Sequence, residues 1–204
     1  MGFFERNRAE LVERGIDPSR LPPGQYHTDR FPVLHIGDVP TYAADNSDWS
    51  LAVAGLVGAP RLFSWDEFLA LPQTAVTTDI HCVTKWSKFD TQWVGVRFRD
   101  LLEAVGGPQP DATHVLEYAE GGYTTNVPLT DLLGDDVLIA HTFDGEPIEP
   151  MHGGPVRMVV PHLYFWKSAK WLRGIELLDH DVPGYWERNG YHMYGDPFRE
   201  QRFG

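Results

Sequence analysis

Residues 140–161 read AHTFDGEPIEPMHGGPVRMVVP. Strand-like runs border this stretch at Val137–Thr142 and Val156–Val160, short and apolar with β-branched residues that suit a pleated surface. Between them Asp144-Gly145 is a hairpin dipeptide, because both residue types tolerate the positive φ that a tight primed turn needs. His152-Gly153-Gly154-Pro155 follows. Its glycines allow backbone N–H groups to come close to an anion, although the same residues also serve as ordinary turn chemistry. The stretch therefore reads as β structure broken by shaped turns.

Working outward, further strands are predicted at His114–Tyr118 and Trp171–Leu178, and upstream at Trp49–Gly55 and Ala75–His81. Ser64 with Glu67 forms a capping box opening a helix over Trp65–Leu71, which Pro72 stops. Phe98–Val105 is a second amphipathic helix, ended by Gly106-Gly107. Strands in both halves, a few short helices, 16 prolines and 20 glycines predict an α+β fold with a mixed β-sheet and long loops. The polar, proline-bearing residues 1–30 read as a short helix and an extended arm that add little core. Residues 31–180 then form the domain and residues 181–204 a tail packed on it.

Composition narrows the function classes. With 29 acidic against 17 basic side chains the net charge is -12, which disfavours nucleic acid and anionic membrane surfaces as partners. One cysteine excludes an internal disulfide, the amino terminus is charged where a secretory signal is apolar, and no run approaches the ~18 apolar residues of a membrane span. A cytoplasmic protein without direct membrane insertion is expected.

Against this acidic background, Arg157–Arg173 (RMVVPHLYFWKSAKWLR) carries Arg157, Lys167, Lys170 and Arg173 without one acidic residue. It is either a solvated basic face or, given the interleaved aromatics, an anion site. Cys82 ends the predicted strand Ala75–His81. A lone cysteine is ordinarily a small buried hydrophobe. Structural zinc would need further ligands in CxxC or HExxH spacing, which the chain lacks. A nucleophilic thiol would need a base such as His141 or His162 brought to it by folding. A soft metal whose organic cofactor supplies its other sulfurs would ask the protein for one thiolate only.

These segments resemble the molybdopterin-binding domain of the sulfite oxidase family, including stand-alone bacterial oxidoreductases related to protein-methionine-sulfoxide reductase catalytic subunits. The resemblance runs from about Phe31 to Leu178. It rests on Cys82 followed by Trp86, on Trp93-Val94-Gly95-Val96 with Asp100-Leu101-Leu102, and on Tyr123–Leu129 (YTTNVPL). The hairpin quoted above and Ser168-Ala169-Lys170-Trp171 complete it.

The resemblance implies a Mo-molybdopterin cofactor with Cys82 as metal ligand and catalytic residue, and an active-site role for Tyr123. His35, His152, Arg157, Ser168, Ala169 and Lys170 fall where the family holds the pterin and its phosphate. Arginine and lysine suit a buried phosphate, which needs charge-assisted hydrogen bonds. The implied activity is two-electron oxygen-atom transfer on a small molecule. Sulfite oxidases carry Arg-Asn-His before the glycine of the first pterin loop, whereas Leu34, His35 and Ile36 stand before Gly37 here. An apolar Leu34 cannot hold a sulfite dianion, so a sulfoxide, an N-oxide or another small oxo-acceptor is expected, with Trp86 and Trp93 as candidate pocket walls. Electrons would pass to or from a separate flavoprotein, ferredoxin or cytochrome. The alternatives are a non-catalytic molybdopterin-binding scaffold and a Cys82 thiol hydrolase.

Overall fold

A computed structural model describes residues 2–204. Its strands are β1 (Tyr26–His27), β2 (Ser50–Gly55), β3 (Arg61–Ser64), β4 (Gln73–His81), β5 (Trp86–Arg97), β6 (His114–Ala119), β7 (Thr124–Pro128), β8 (Leu138–Phe143), β9 (Glu146–Pro147), β10 (Arg157–Val159) and β11 (Leu172–Leu178). The α-helices are short: α1 (Phe3–Glu13), α2 (Trp65–Leu69), α3 (Phe98–Ala104), α4 (Leu129–Leu132) and α5 (Tyr185–Arg188). The class is the α+β expected, but the strands form two mixed sheets rather than one. The six-stranded sheet runs β1-β5-β8-β10, with β4 on β5 and β9 on β8, and the five-stranded sheet runs β3-β2-β11-β6-β7. Parallel pairing occurs between β1 and β5 and between β11 and β2.

The two-residue side-chain period of a strand sorts the six-stranded sheet into two faces. Ile139 and Met158 join the large core shared with Leu51, Val53, Ile175 and Leu177 of the other sheet. Their neighbours Leu138, Ala140 and Val159 join a second cluster with Ile80, Trp86, Trp93 and Phe165. Arg157, two residues before Val159, is thereby turned to this second side, where its guanidinium lies 4.0 Å from the Phe165 ring centroid.

Two expectations are corrected. β5, the longest strand at 12 residues, was not anticipated, because Ser87, Lys88, Thr91 and Gln92 break its apolar run; the first and third of these are nonetheless buried. Nor is the arm without a core of its own. Leu11 and Leu21 are buried with Phe89 in a third cluster, and Arg8 donates to the carbonyls of Pro18, Leu21 and Pro22. β1 is thereby held against the start of β5, and Gln25 beside it donates from Nε2 to the Cys82 carbonyl at 3.0 Å.

Candidate functional site

β4 ends at His81 and the chain reverses through Cys82–Lys85 into β5. The turn is closed by Cys82 N–H to the Trp86 carbonyl at 2.8 Å and Lys85 N–H to the Cys82 carbonyl at 3.0 Å. Lys85 takes a φ of 80°. With Gln25 on its first carbonyl and Arg202 donating to that of Val83, the turn holds the half-buried thiol in place. The thiol Sγ lies 3.2 Å from the Thr84 hydroxyl, and burial pushes its pKa up.

The thiol lines a cavity of about 530 Å³, within the usual range for a small-molecule site. Its walls come from the segment Phe31–Ile36, the Cys82 turn, the loop Phe165–Trp171, and Tyr185, Trp186 and Tyr191 of the tail, together with Tyr123 and Arg157. Two cations line it. Arg157 is 1% exposed and donates only to backbone carbonyls, those of His152 at 2.6 Å, Ser168 at 3.1 Å and Met158 at 3.3 Å. Lys170 donates to the Met151 carbonyl at 2.7 Å. Neither forms an ion pair with a carboxylate among the described residues. The consequence appears in their acidities: burial lowers Arg157 to about 9, and burial with the nearby Arg157 charge lowers Lys170 to about 7. Two cations held without a carboxylate partner suit the binding of an anion.

The basic island is thus divided by folding. Lys167 points away from the cavity and is fully buried, with Nζ 2.6 Å from Glu187 and donating to the Asn126 and Met193 carbonyls. Arg173 turns outward to Glu120 and the Asp48 carbonyl.

Residues 36–186 match the family described as "Oxidoreductase molybdopterin binding domain". The chain belongs to that family. It is 53% identical over 184 residues to the oxidoreductase YuiH of Bacillus subtilis (strain 168), covering 90% of this chain and 92% of that one. It is 30% identical over 167 residues to the protein-methionine-sulfoxide reductase catalytic subunit MsrP of Gluconobacter oxydans (strain 621H), covering 72% of this chain and 52% of that one. In fold it is similar to the sulfane dehydrogenase SoxCD from Paracoccus pantotrophus, with a TM-score of 0.62 over 74% of this chain and 42% of that chain at 22% identity. The protein is therefore an oxidoreductase of the molybdopterin-binding, sulfite oxidase-like family.

The residues of this oxidoreductase suit the family's group: one thiol and two cations without carboxylate partners face a single cavity, and the buried Nε1 of Trp86, a wall residue, has no hydrogen-bond partner among the described residues. Of the residues singled out in the sequence, Cys82, Tyr123, His35, Arg157, Ser168 and Lys170 line the cavity. His35 donates from Nδ1 to the Gly37 carbonyl, 3.0 Å away. Ser168 faces the cavity with its hydroxyl oxygen already accepting from Val160 N–H at 2.9 Å. Tyr123 donates its hydroxyl to the Trp166 carbonyl at 2.5 Å, and burial raises its pKa well above the usual phenol value.

His152 and Ala169 are not in the wall. His152 stacks on Phe31 with centroids 4.0 Å apart and reaches the site through its carbonyl on Arg157. Ala169 lies in the core, its N–H donating to Glu117 at 3.0 Å. The glycines act differently from expectation as well. Gly153 and Gly154 donate their N–H groups to Pro150 and Glu149. A Cβ on Gly154 would sit 1.9 Å from the Ile148 carbonyl oxygen, and one on Gly153 2.9 Å from Lys170. They permit the turn to pack on Lys170 rather than offering donors to a ligand. Trp86 lines the cavity, whereas Trp93 is wholly buried behind it.

The tail aromatics Tyr185, Trp186 and Tyr191 escaped the sequence reading. The signal was the aromatic density of GYWERNGYHMY, but nothing local says which way such side chains face. Neither of the two candidate bases reaches Cys82: His141 bonds Gln73 at 3.1 Å and His162 lies 3.7 Å from Asp131, while the neighbouring His81 bonds Ser87 at 2.8 Å.

Proposed function

We propose that this protein binds Mo-molybdopterin with Cys82 as the protein's metal ligand and transfers an oxygen atom to or from a small neutral oxo compound, such as a sulfoxide or N-oxide, rather than sulfite. The observation that carries the reading is one thiol and two carboxylate-free cations, Arg157 and Lys170, sharing a cavity of about 530 Å³. When bound, the cofactor supplies two-electron oxygen-atom exchange at molybdenum. Arg157 and Lys170 hold its phosphate by charge-assisted bonds, and His35 and Ser168 border it. Arg157 is pre-aimed by three backbone carbonyls and by Phe165, so little side-chain freedom is lost on binding. Tyr123, fixed on the Trp166 carbonyl, offers its lone pairs and ring edge to the substrate, while the aromatic walls exclude water.

Leu34, a cavity-wall residue, supports exclusion of sulfite, since among the described residues Arg157 and Lys170 are the only Lys or Arg side chains lining the cavity. A thiol hydrolase is disfavoured because burial raises the Cys82 pKa and the thiol's hydrogen-bond partner is the Thr84 hydroxyl rather than a base, whereas a thiol nucleophile needs the opposite. We further propose a cytoplasmic location and a separate electron-transfer protein. The relative from Gluconobacter oxydans is itself named as one subunit of a reductase, and among the described residues no helix is long and apolar enough to cross a membrane.

The test is molybdenum and released-pterin content of wild type and Cys82→Ser, produced in a host that makes the cofactor, together with reduction of sulfoxides by an artificial donor. About one metal and one pterin per wild-type chain, with loss of turnover in the variant, is expected. Folded wild type free of molybdenum, or a fully active serine variant, would overturn the assignment. Loaded protein that cycles with no donor or acceptor would favour a binding scaffold.

A further inference from the structure

The backbone of Cys82 is bonded at both its polar groups. Its N–H donates to the Trp86 carbonyl at 2.8 Å, and its carbonyl accepts from Lys85 N–H at 3.0 Å and from Gln25 Nε2 at 3.0 Å. A carbonyl oxygen has two lone pairs, so this one is filled. Two of the three bonds belong to the turn itself. The third comes from 57 positions earlier in the chain, ahead of the family region that begins at residue 36. The thiol has no such support of its own, since Sγ touches only the Thr84 hydroxyl at 3.2 Å. Its direction is therefore set through the backbone.

Gln25 is itself held. Gln25 and Ser87 are wholly buried and His81 nearly so. The Ser87 hydroxyl donates to Gln25 Oε1 at 3.4 Å, and Ser87 Oγ lies 2.8 Å from His81 Nδ1. With the hydroxyl proton committed to Gln25, Oγ accepts from Nδ1–H. The chain of bonds then has one direction, from His81 through Ser87 and Gln25 to the Cys82 carbonyl, and a satisfied buried network of this kind is rigid. The backbone of the arm makes the same approach: Tyr26 N–H donates to the Lys85 carbonyl at 2.8 Å and Thr28 N–H to the Ser87 carbonyl at 2.9 Å. An apolar side chain at position 25 would fill the same space. Only an amide adds a fixed direction for the Cys82 carbonyl.

Resting on the function proposed above, we propose that Gln25 is a positioning residue for the metal ligand. By locking the peptide plane of Cys82 it fixes the direction in which Sγ leaves the backbone, and so the angle at which the thiolate meets the metal. Hydrogen bonds one step behind a ligand commonly orient it in this way. The amino-terminal arm is thereby part of the metal site, although it touches neither the metal nor the substrate and lies outside the region that the family model matches.

The experiment has two readouts on Gln25→Met, which keeps the side-chain length and removes the amide. The first needs no cofactor. Hydrogen exchange of the Lys85 amide, which shares the Cys82 carbonyl with Gln25, should quicken roughly 5–10-fold, in keeping with one lost hydrogen bond, while the amides of β11 exchange as in wild type. The second is the Mo(V) electron paramagnetic resonance spectrum of loaded protein, whose g-values report the ligand geometry. They should shift in Gln25→Met and shift less in Ser87→Ala, which keeps Nε2 but frees its far end. Val53→Ala, which loosens the large core of the other sheet without touching the turn, should lower stability and leave the g-values alone. The proposal is overturned if Lys85 exchange is unchanged in Gln25→Met, if its g-values are those of wild type, or if Val53→Ala shifts them equally. Wild type without molybdenum would instead strike at the functional reading, and the exchange measurement would still decide whether Gln25 holds the turn.

Discussion

Lys170 gives a prediction in which stability and binding move in opposite directions. Its ammonium is partly buried near the Arg157 charge with one carbonyl for company, and its pKa falls from 10.5 to about 7. Between those values the unfolded chain carries a proton that the folded chain has lost, so folding stability rises with pH across this window and the destabilisation is complete at and below about pH 7. The shift corresponds to an upper bound of roughly 5 kcal/mol. The cavity opens to solvent, which screens the charge, and ~1–2 kcal/mol is the expected effect. Lys170→Met keeps the aliphatic stem and removes the ammonium. Cofactor-free Lys170→Met should therefore be more stable than wild type by that amount near pH 6.5, with the difference vanishing above about pH 10.5. In cofactor-producing cells the same variant loses a charge-assisted contact of ~1.5–3 kcal/mol, or roughly 10–100-fold in retention. Urea denaturation at several pH values and pterin content after extensive desalting measure the two effects. A variant that is less stable at pH 6.5, or that keeps its pterin as wild type does, would refute the reasoning.

The buried acids beneath the site give two more predictions. Glu117 is fully buried and its pKa is raised from 4.5 to about 8, chiefly by burial; the folded chain keeps a proton that the unfolded chain loses, so stability should fall as pH rises from about 4.5 to about 8. Glu117→Gln should flatten that fall in a denaturation series, and parallel profiles would contradict it. Lys167 and Glu187 form a fully buried pair 2.6 Å apart. Lys167→Met should cost about 3–5 kcal/mol by leaving a buried carboxylate unpaired, and adding Glu187→Gln should restore at least half, as read from chemical denaturation of both variants.

These acids also show why so much of the site lay outside the sequence. Glu117 and Glu187 read as ordinary surface carboxylates until β6, β7 and the tail converge, and Lys167 reads as one member of a basic cluster until Glu187 takes it away from the cavity.

By itself the sequence determined the class of fold, most strand positions, the capping box of α2, the strand-end place of Cys82 and the family, because these depend on local period, turn chemistry and residue order. The tertiary structure alone decided three things. It split the strands into two sheets, since pairing of β1 with β5 and of β2 with β11 joins segments 60 and more than 100 residues apart in sequence. It chose Arg157 and Lys170 from four similar cations, because the direction of a side chain depends on which face its strand or loop presents. And it carried Tyr191 from the far end of the chain into the wall of the cavity that Cys82 lines, which brings residues 109 positions apart in sequence to one site and which no local pattern encodes.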